Sequence, residues 1–142
     1  MAVTDKLKFF SEEWCAAAAA AHQGDLAVRQ AKALRDPAKA NYILAFEVAD
    51  RPGLISHVEI VAGHVKNWSA TNLYPEDQIF ARFVAPIEHF RDAAEGRTPA
   101  ANLVMGGKMR LAKGTMKDAI ENARALNVLI GAWGDLPTDW DV

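Results

Sequence analysis

The residue pattern predicts an α+β domain: a mainly antiparallel five-stranded sheet covered by about four to five helices. Three observations lead there. Apolar residues alternate with a period of two in the stretches 42–49, 54–62, 65–70, 78–85 and 107–114, as in strands with two distinct faces. They recur at helical spacing in 12–22, 25–34, 87–95 and 116–133. The order is helix, helix, four turn-linked strands, helix, one more strand and a long helix, so the last strand has to rejoin the sheet after a helix.

The first helix is expected from about Glu12 to His22. Ser11 offers an oxygen to its first amides, Glu12 and Glu13 suit the positive end of its dipole, and Gly24 ends it. The run Ala16 to Ala21 favours helix but buries little area, so that face has to meet something that comes close. Tight packing on a helix or the sheet is the simpler reading; a cavity beside the alanines, with Trp14 on its wall, is the functional one. A second helix runs from Asp25 through Leu26, Arg29, Ala33 and Leu34 and stops at Asp36-Pro37, because proline cannot continue the ladder.

From Asn41 the period is two. Tyr42, Leu44, Phe46 and Val48 share one face and Ile43, Ala45, Glu47 and Ala49 the other. Both faces are largely apolar, which predicts a central strand. Arg51-Pro52-Gly53 is a turn, with proline presetting the bend and glycine supplying positive φ. Leu54 to Ala62 and Val65 to Ala70 are the next strands, with Gly63 between them and Trp68 on one face of the second. A loop from Asn72 to Asp77 surrounds Pro75. Gln78 to Ala85 then sets Phe80, Arg82 and Val84 against Ile79, Ala81 and Phe83. A short helix follows from Ile87 to Glu95, with Ile87, Phe90 and Ala94 inward, and Gly96 closes it.

Composition narrows the function classes. The chain has 142 residues, most simply one domain over 1–142, and is 51% hydrophobic and 24% charged, which argues for a packed core and against disorder. A net charge of −2, with 16 dispersed basic residues, predicts no nucleic-acid partner. The single Cys15 excludes an internal disulfide, and no cluster suggests a metal or a cofactor. Glu12 and Glu13 interrupt the first apolar stretch, so no signal peptide is expected. No apolar window approaches the roughly 20 residues that span a bilayer, and a cytoplasmic protein is expected.

The segment Asn102 to Trp133 organises the chain. Within it, Met109 and Leu111 alternate with Arg110 and Ala112 between bracketing glycines. Thr115, with Asp118 three residues on, is a helix-start signal; Met116, Ala119, Ile120, Ala123, Leu126, Ile130 and Trp133 then form one apolar face. Leu103-Val104-Met105-Gly106-Gly107-Lys108-Met109-Arg110-Leu111, followed by a glycine and a helix, resembles the C-terminal half of the sterol carrier protein 2 family. Phe90, Ala93-Ala94-Glu95-Gly96 and Pro99 extend the likeness upstream. The resemblance implies an apolar cavity between sheet and helices and non-catalytic binding, transfer or presentation of a lipophilic molecule: a fatty acid, an acyl thioester, a sterol or another hydrocarbon-like metabolite. Its expected lining is Leu103, Met105, Met109, Leu111, Met116 and Ile120, with Trp68, Phe83 and Phe90 as further candidates. Burying about fourteen methylenes yields roughly 11 kcal/mol, and association costs of about 4 kcal/mol or more leave affinity near micromolar. Access requires the final helix, or the segment around Gly106-Gly107, to move.

Three further groups bear on chemistry. Arg82 pairs with Glu47 across the sheet on the simpler reading, and meets a fatty-acid carboxylate at the cavity mouth on the functional one. His57 and Glu59, two apart on one strand face, are solvent-facing polar residues on the simpler reading, and on the functional one a pair that could seat a metal or serve as the acid–base pair of a small α+β enzyme. Cys15 beside alanines is expected to be buried and inert. A second class of function is an accessory subunit that presents a hydrophobic substrate to a partner enzyme, marked by an apolar patch near Trp133 and Trp140. Transient membrane contact fits a carrier of either kind.

Overall fold

The computed structural model describes residues 6–34, 36–71 and 73–142. Residue 72, where the expected loop 72–77 begins, lies outside them. The elements are β1 (Leu7–Lys8), α1 (Glu12–Ala21), α2 (Gly24–Ala33), β2 (Tyr42–Val48), β3 (Ile55–Val61), β4 (His64–Ser69), β5 (Ile79–Ala85), α3 (Ile87–Ala94), α4 (Ala100–Met105), β6 (Arg110–Lys113), α5 (Met116–Glu121), α6 (Ala123–Gly131) and β7 (Thr138–Asp139). Short 3-10 turns lie at Pro37–Lys39, Glu76–Gln78 and Ala132–Asp135.

The five-stranded sheet has the order β4-β3-β2-β5-β6, with β2 at its centre as its two apolar faces require. β2, β3 and β4 form an antiparallel meander, but β5 lies parallel to β2, so the sheet is mixed. β4 and β5 therefore point the same way, and the connection between them has to run back along the sheet before β5 begins. Tyr74 in that connection lies against β3, where its backbone N–H donates to His57 Nδ1 at 3.2 Å. β6 closes the other edge antiparallel to β5, pairing Leu111 with Phe83.

Both expected helix caps form. The Ser11 hydroxyl accepts from the Trp14 amide, and Thr115 accepts from Asp118, whose carboxylate accepts the threonine hydroxyl in return. Two helical features differ from expectation. Leu103 and Met105 belong to a helix, α4, in a stretch where no element was expected; Pro99, extended at ψ 139°, stands just before its first turn. The expected single helix over 116–133 is broken at Asn122, whose side chain donates to the Asp118 carbonyl and competes with the helical ladder.

The helices cover the sheet face that carries Leu44, Phe46, Val58, Ile60 and Phe83. Under α1 and α3 the filling is aromatic: Trp133 meets Trp14 at 5.2 Å, Phe46 at 5.5 Å and Phe10 at 5.6 Å, each edge-on. Phe9 stacks on Phe10 and meets Trp140 at 4.4 Å. The alanines of α1 pack on β4, Ala18 being fully buried, and no α1 residue lines a described cavity. Gly134 permits the approach of the last turn to α3, because a Cβ there would strike the Ala94 carbonyl oxygen.

Candidate functional site

Away from the rings, the same layer is lined by smaller side chains. Ala81 on β5, Ala119 on α5 and Ala125 on α6 face one another where the aromatic cluster has stopped, and a cavity of about 40 Å³ lies among them. Its floor is the sheet, with Tyr42, Leu44, Ile60, Phe83 and Leu111. Its roof is α5 and α6, with Leu126 and Leu129. Gln30 of α2 closes one wall, and Thr115, Asp118 and Asn122 stand at the α5 end. Gly114, at φ +101°, makes the turn from β6 into α5; a Cβ there would sit 3.1 Å from the Phe80 carbonyl oxygen.

A crevice of about 10 Å³ adjoins this cavity between α4, α5 and α6. Ala119 and Leu126 line both, so two side chains separate the interior from a surface bearing Met105 and Ile120, which are 53% and 56% exposed. A different groove, of about 410 Å³, opens beside Trp140; it sets Lys6, Arg51 and Arg91 beside Glu88, Asp139 and Asp141, so neither sign of charge dominates.

The candidate lining residues thus fall into separate places. Phe83 and Leu111 lie on the cavity floor, while Met105 and Ile120 line the crevice. Trp68, Phe90, Leu103 and Met109 are buried in the close-packed core, and Met116 is 43% exposed and lines no described cavity. Sequence reasoning missed Tyr42, Leu44, Ile60, Leu129 and Gln30. The inward face of β2 already pointed to Tyr42 and Leu44. Gln30 carried no such signal, since a glutamine on a helix reads as surface.

The polar candidates lie on the opposite side of the sheet. Arg82 donates to Glu47 at 3.4 Å and to Glu76 at 2.5 Å, the second bond holding the Glu76 carboxyl below its ordinary range. It lines no part of the cavity, so a head-group contact from Arg82 has no support in this arrangement. His57 is buried beneath Tyr74, whose hydroxyl donates to Glu59 at 3.0 Å. Neither His57 nor Glu59 lines a described cavity. Cys15 is buried, 3.6 Å from the Ser56 hydroxyl, and burial pushes its thiol up to about 11. Trp133 is 1% exposed and Trp140 packs on Phe9, so the apolar patch expected near them is taken up in the core.

No family profile matches the sequence, and no curated protein matches it. Structural comparison does find relatives in shape. A crystal structure of sterol carrier protein 2 superposes with a TM-score of 0.74, at 19% identity, over 91% of this chain and 99% of its own. The chain has the sterol carrier protein 2 fold. A conserved hypothetical protein from Thermus thermophilus matches with a TM-score of 0.66 at 18% identity, over 96% of this chain and 94% of its own. The apo form of sterol carrier protein 2 from Yarrowia lipolytica matches with a TM-score of 0.52 at 20% identity, over 88% and 98%. In this sterol carrier protein 2 fold, no helix among the described residues is long and apolar enough to cross a membrane.

Proposed function

We propose that this chain binds one lipophilic molecule between its sheet and the α5–α6 roof, and does no chemistry on it. The observation that carries this is a cavity whose floor and roof are aliphatic and aromatic, in a part of the layer that the aromatic core leaves unfilled. An apolar chain moving from water to such walls gains about 0.8 kcal/mol per methylene. At about 40 Å³ the cavity holds only a few waters, whereas ligand pockets usually run to several hundred Å³. Binding therefore requires the roof to lift.

The construction of α5 favours that movement. It is a six-residue helix with a left-handed glycine at one end and the Asn122 break at the other, so it can swing while α6 stays docked. Lifting it joins the cavity to the crevice past Ala119 and Leu126, and opens a passage beside Met105 and Ile120. Those exposed apolar side chains also support a second reading, that the passage is offered to a partner protein or a membrane that supplies or takes the ligand.

Native mass spectrometry of the purified protein, with organic extraction and identification of anything bound, tests the carrier function. One lipophile per chain, lost on Leu111→Trp without loss of fold, is the expected result. Finding no bound species and no displaceable probe among fatty acids, acyl thioesters and sterols would overturn it.

A further inference from the structure

The outer side of the α5 roof carries a feature that an enclosed cavity does not need. Asp118, Ala119 and Asn122 turn toward the cavity. At about 100° per residue, the opposite pole of α5 is then formed by Ile120 and Lys117, with Met116 and Glu121 on its flanks. Ile120 and Met116 are exposed there, and Met105, at the end of α4, faces Ile120 across the crevice and is exposed as well. Three large apolar side chains therefore meet water on one surface.

Cations flank them. Lys108 follows Met105 by three residues, Lys117 lies beside Ile120, and Arg124 follows Ala123, which lines the crevice. All three are exposed, and none joins an ion pair among the described residues, whereas Lys113 is tied back to the Glu76 carbonyl. Glu121 is the one exposed acid of α5. The asymmetry extends to the whole molecule: residues 100–131 hold five Lys and Arg against two Asp and Glu, and the rest of the sequence holds eleven against sixteen. A chain of net charge −2 thus has a positive end at the roof of its cavity. Protein interfaces are depleted in lysine and centre on aromatic anchors, and no Trp, Tyr or Phe stands among these three apolar residues. A bilayer with anionic headgroups accommodates both parts of the surface, apolar side chains entering the headgroup boundary while Lys and Arg meet phosphates.

Resting on the carrier function above, we infer that α5 and the turn from α4 to β6 dock on an anionic phospholipid bilayer, with Met105, Met116 and Ile120 entering it and Lys108, Lys117 and Arg124 on its headgroups. Each cation near such a surface contributes about fivefold in affinity, the equivalent of about 1 kcal/mol. Three of them give an attachment that is reversible and sensitive to salt. Docking in this orientation sets the crevice against lipid, so the roof opens toward the bilayer and not toward water.

Flotation of the purified protein with vesicles tests the docking, and reads it without any ligand in the cavity. Vesicles of phosphatidylcholine with about one third phosphatidylglycerol should bind about tenfold tighter than phosphatidylcholine alone, and about 0.5 M salt should remove the difference. Lys117→Gln should weaken binding about fivefold, and the triple change Lys108→Gln, Lys117→Gln, Arg124→Gln about a hundredfold. Ile120→Gln should weaken it too, whereas Lys66→Gln, on β4 at the far edge of the sheet, should leave it unchanged. All of these side chains are exposed, so thermal melts should match the unaltered protein. Equal binding to the two kinds of vesicle, no binding to either, or full binding by the triple variant overturns the inference. So does self-association of the chain that Ile120→Gln abolishes, which gives the surface to a second copy. An apolar probe that still binds a protein unable to float leaves the carrier function standing; flotation without any bound lipophile or probe removes the carrier function and keeps the docking surface.

Discussion

Phe83 and Leu111 are register partners across β5 and β6, and together they form the part of the cavity floor that lies beneath α5. Leu111 is only half-buried, so a larger side chain there can grow into the cavity instead of colliding with a finished core. Leu111→Trp is therefore expected to abolish displacement of an apolar probe, at a cost in stability of about 1–3 kcal/mol that leaves the protein folded. Met109, two residues away, is fully buried, and Met109→Arg should unfold the protein by stranding a charge. Probe titration and thermal melts of the two variants check both outcomes, and a Leu111→Trp protein that binds normally would remove the cavity from consideration.

Arg82 provides the complementary control from the other side of the sheet. Arg82→Met removes the cation between Glu47 and Glu76 and touches nothing in the cavity. The affinity for an apolar probe should match that of the unaltered protein. The pair also has a pH signature. The Glu76 carboxyl is held low in the folded state by the Arg82 hydrogen bond, so its contribution is present above the ordinary glutamate range and lost as pH falls through the folded value. The acid limb of unfolding should lose that contribution in Arg82→Met, as acid titrations of the two proteins at low salt will record.

His22 governs a second pH window. Its Nδ1 lies 2.9 Å from the Ala18 carbonyl, its ring is 5.3 Å from that of Trp68, and burial lowers its pKa. Below about 6.5 the unfolded chain takes up a proton that the folded one refuses, so stability is full above that value and falls as pH drops beneath it. The slope reaches at most about 1.4 kcal/mol per pH unit for one group. His22→Gln should flatten denaturation midpoints measured from about pH 7 to pH 5; an unchanged slope would assign the acid sensitivity elsewhere.

How much of this was legible in the sequence depended on whether the cue was local. The caps at Ser11 and Thr115 are local, since each needs only an oxygen and an amide two or three residues on, and both formed. The central place of β2 was legible because both of its faces are apolar. The parallel pairing of β2 with β5 was not, because alternation marks a strand's faces but not its neighbour. Leu103-Val104-Met105 fits a strand or a buried helix equally well, so α4 was not legible. The cavity was the least legible feature. Leu103, Met109 and Phe83 are all apolar and inward-facing, yet Phe83 alone of these lines it, because the space is set by the small partners Ala81, Ala119 and Ala125. The resemblance to the sterol carrier protein 2 family foretold the fold, but could not distribute those side chains between core and cavity.

The break at Asn122 yields the last prediction, one about rates. Asn122 ends α5 with its backbone N–H on Asp118 and Ile120, and its side chain on the Asp118 carbonyl, while its own carbonyl accepts from the Leu126 amide at 3.0 Å. Those bonds satisfy both helix ends and hold the bend. Alanine at this position removes the competing side chain and raises helix propensity by about 0.6 kcal/mol, which favours a continuous α5–α6 helix. If the roof opens by α5 swinging about this break, Asn122→Ala should slow both association and release of an apolar probe about threefold, the rate equivalent of that propensity difference, and leave Kd nearly unchanged. A loss of affinity with rates of association intact would instead mean that Asn122 contacts the ligand. Stopped-flow binding separates the two, because a gate changes both rates together while a contact changes release alone.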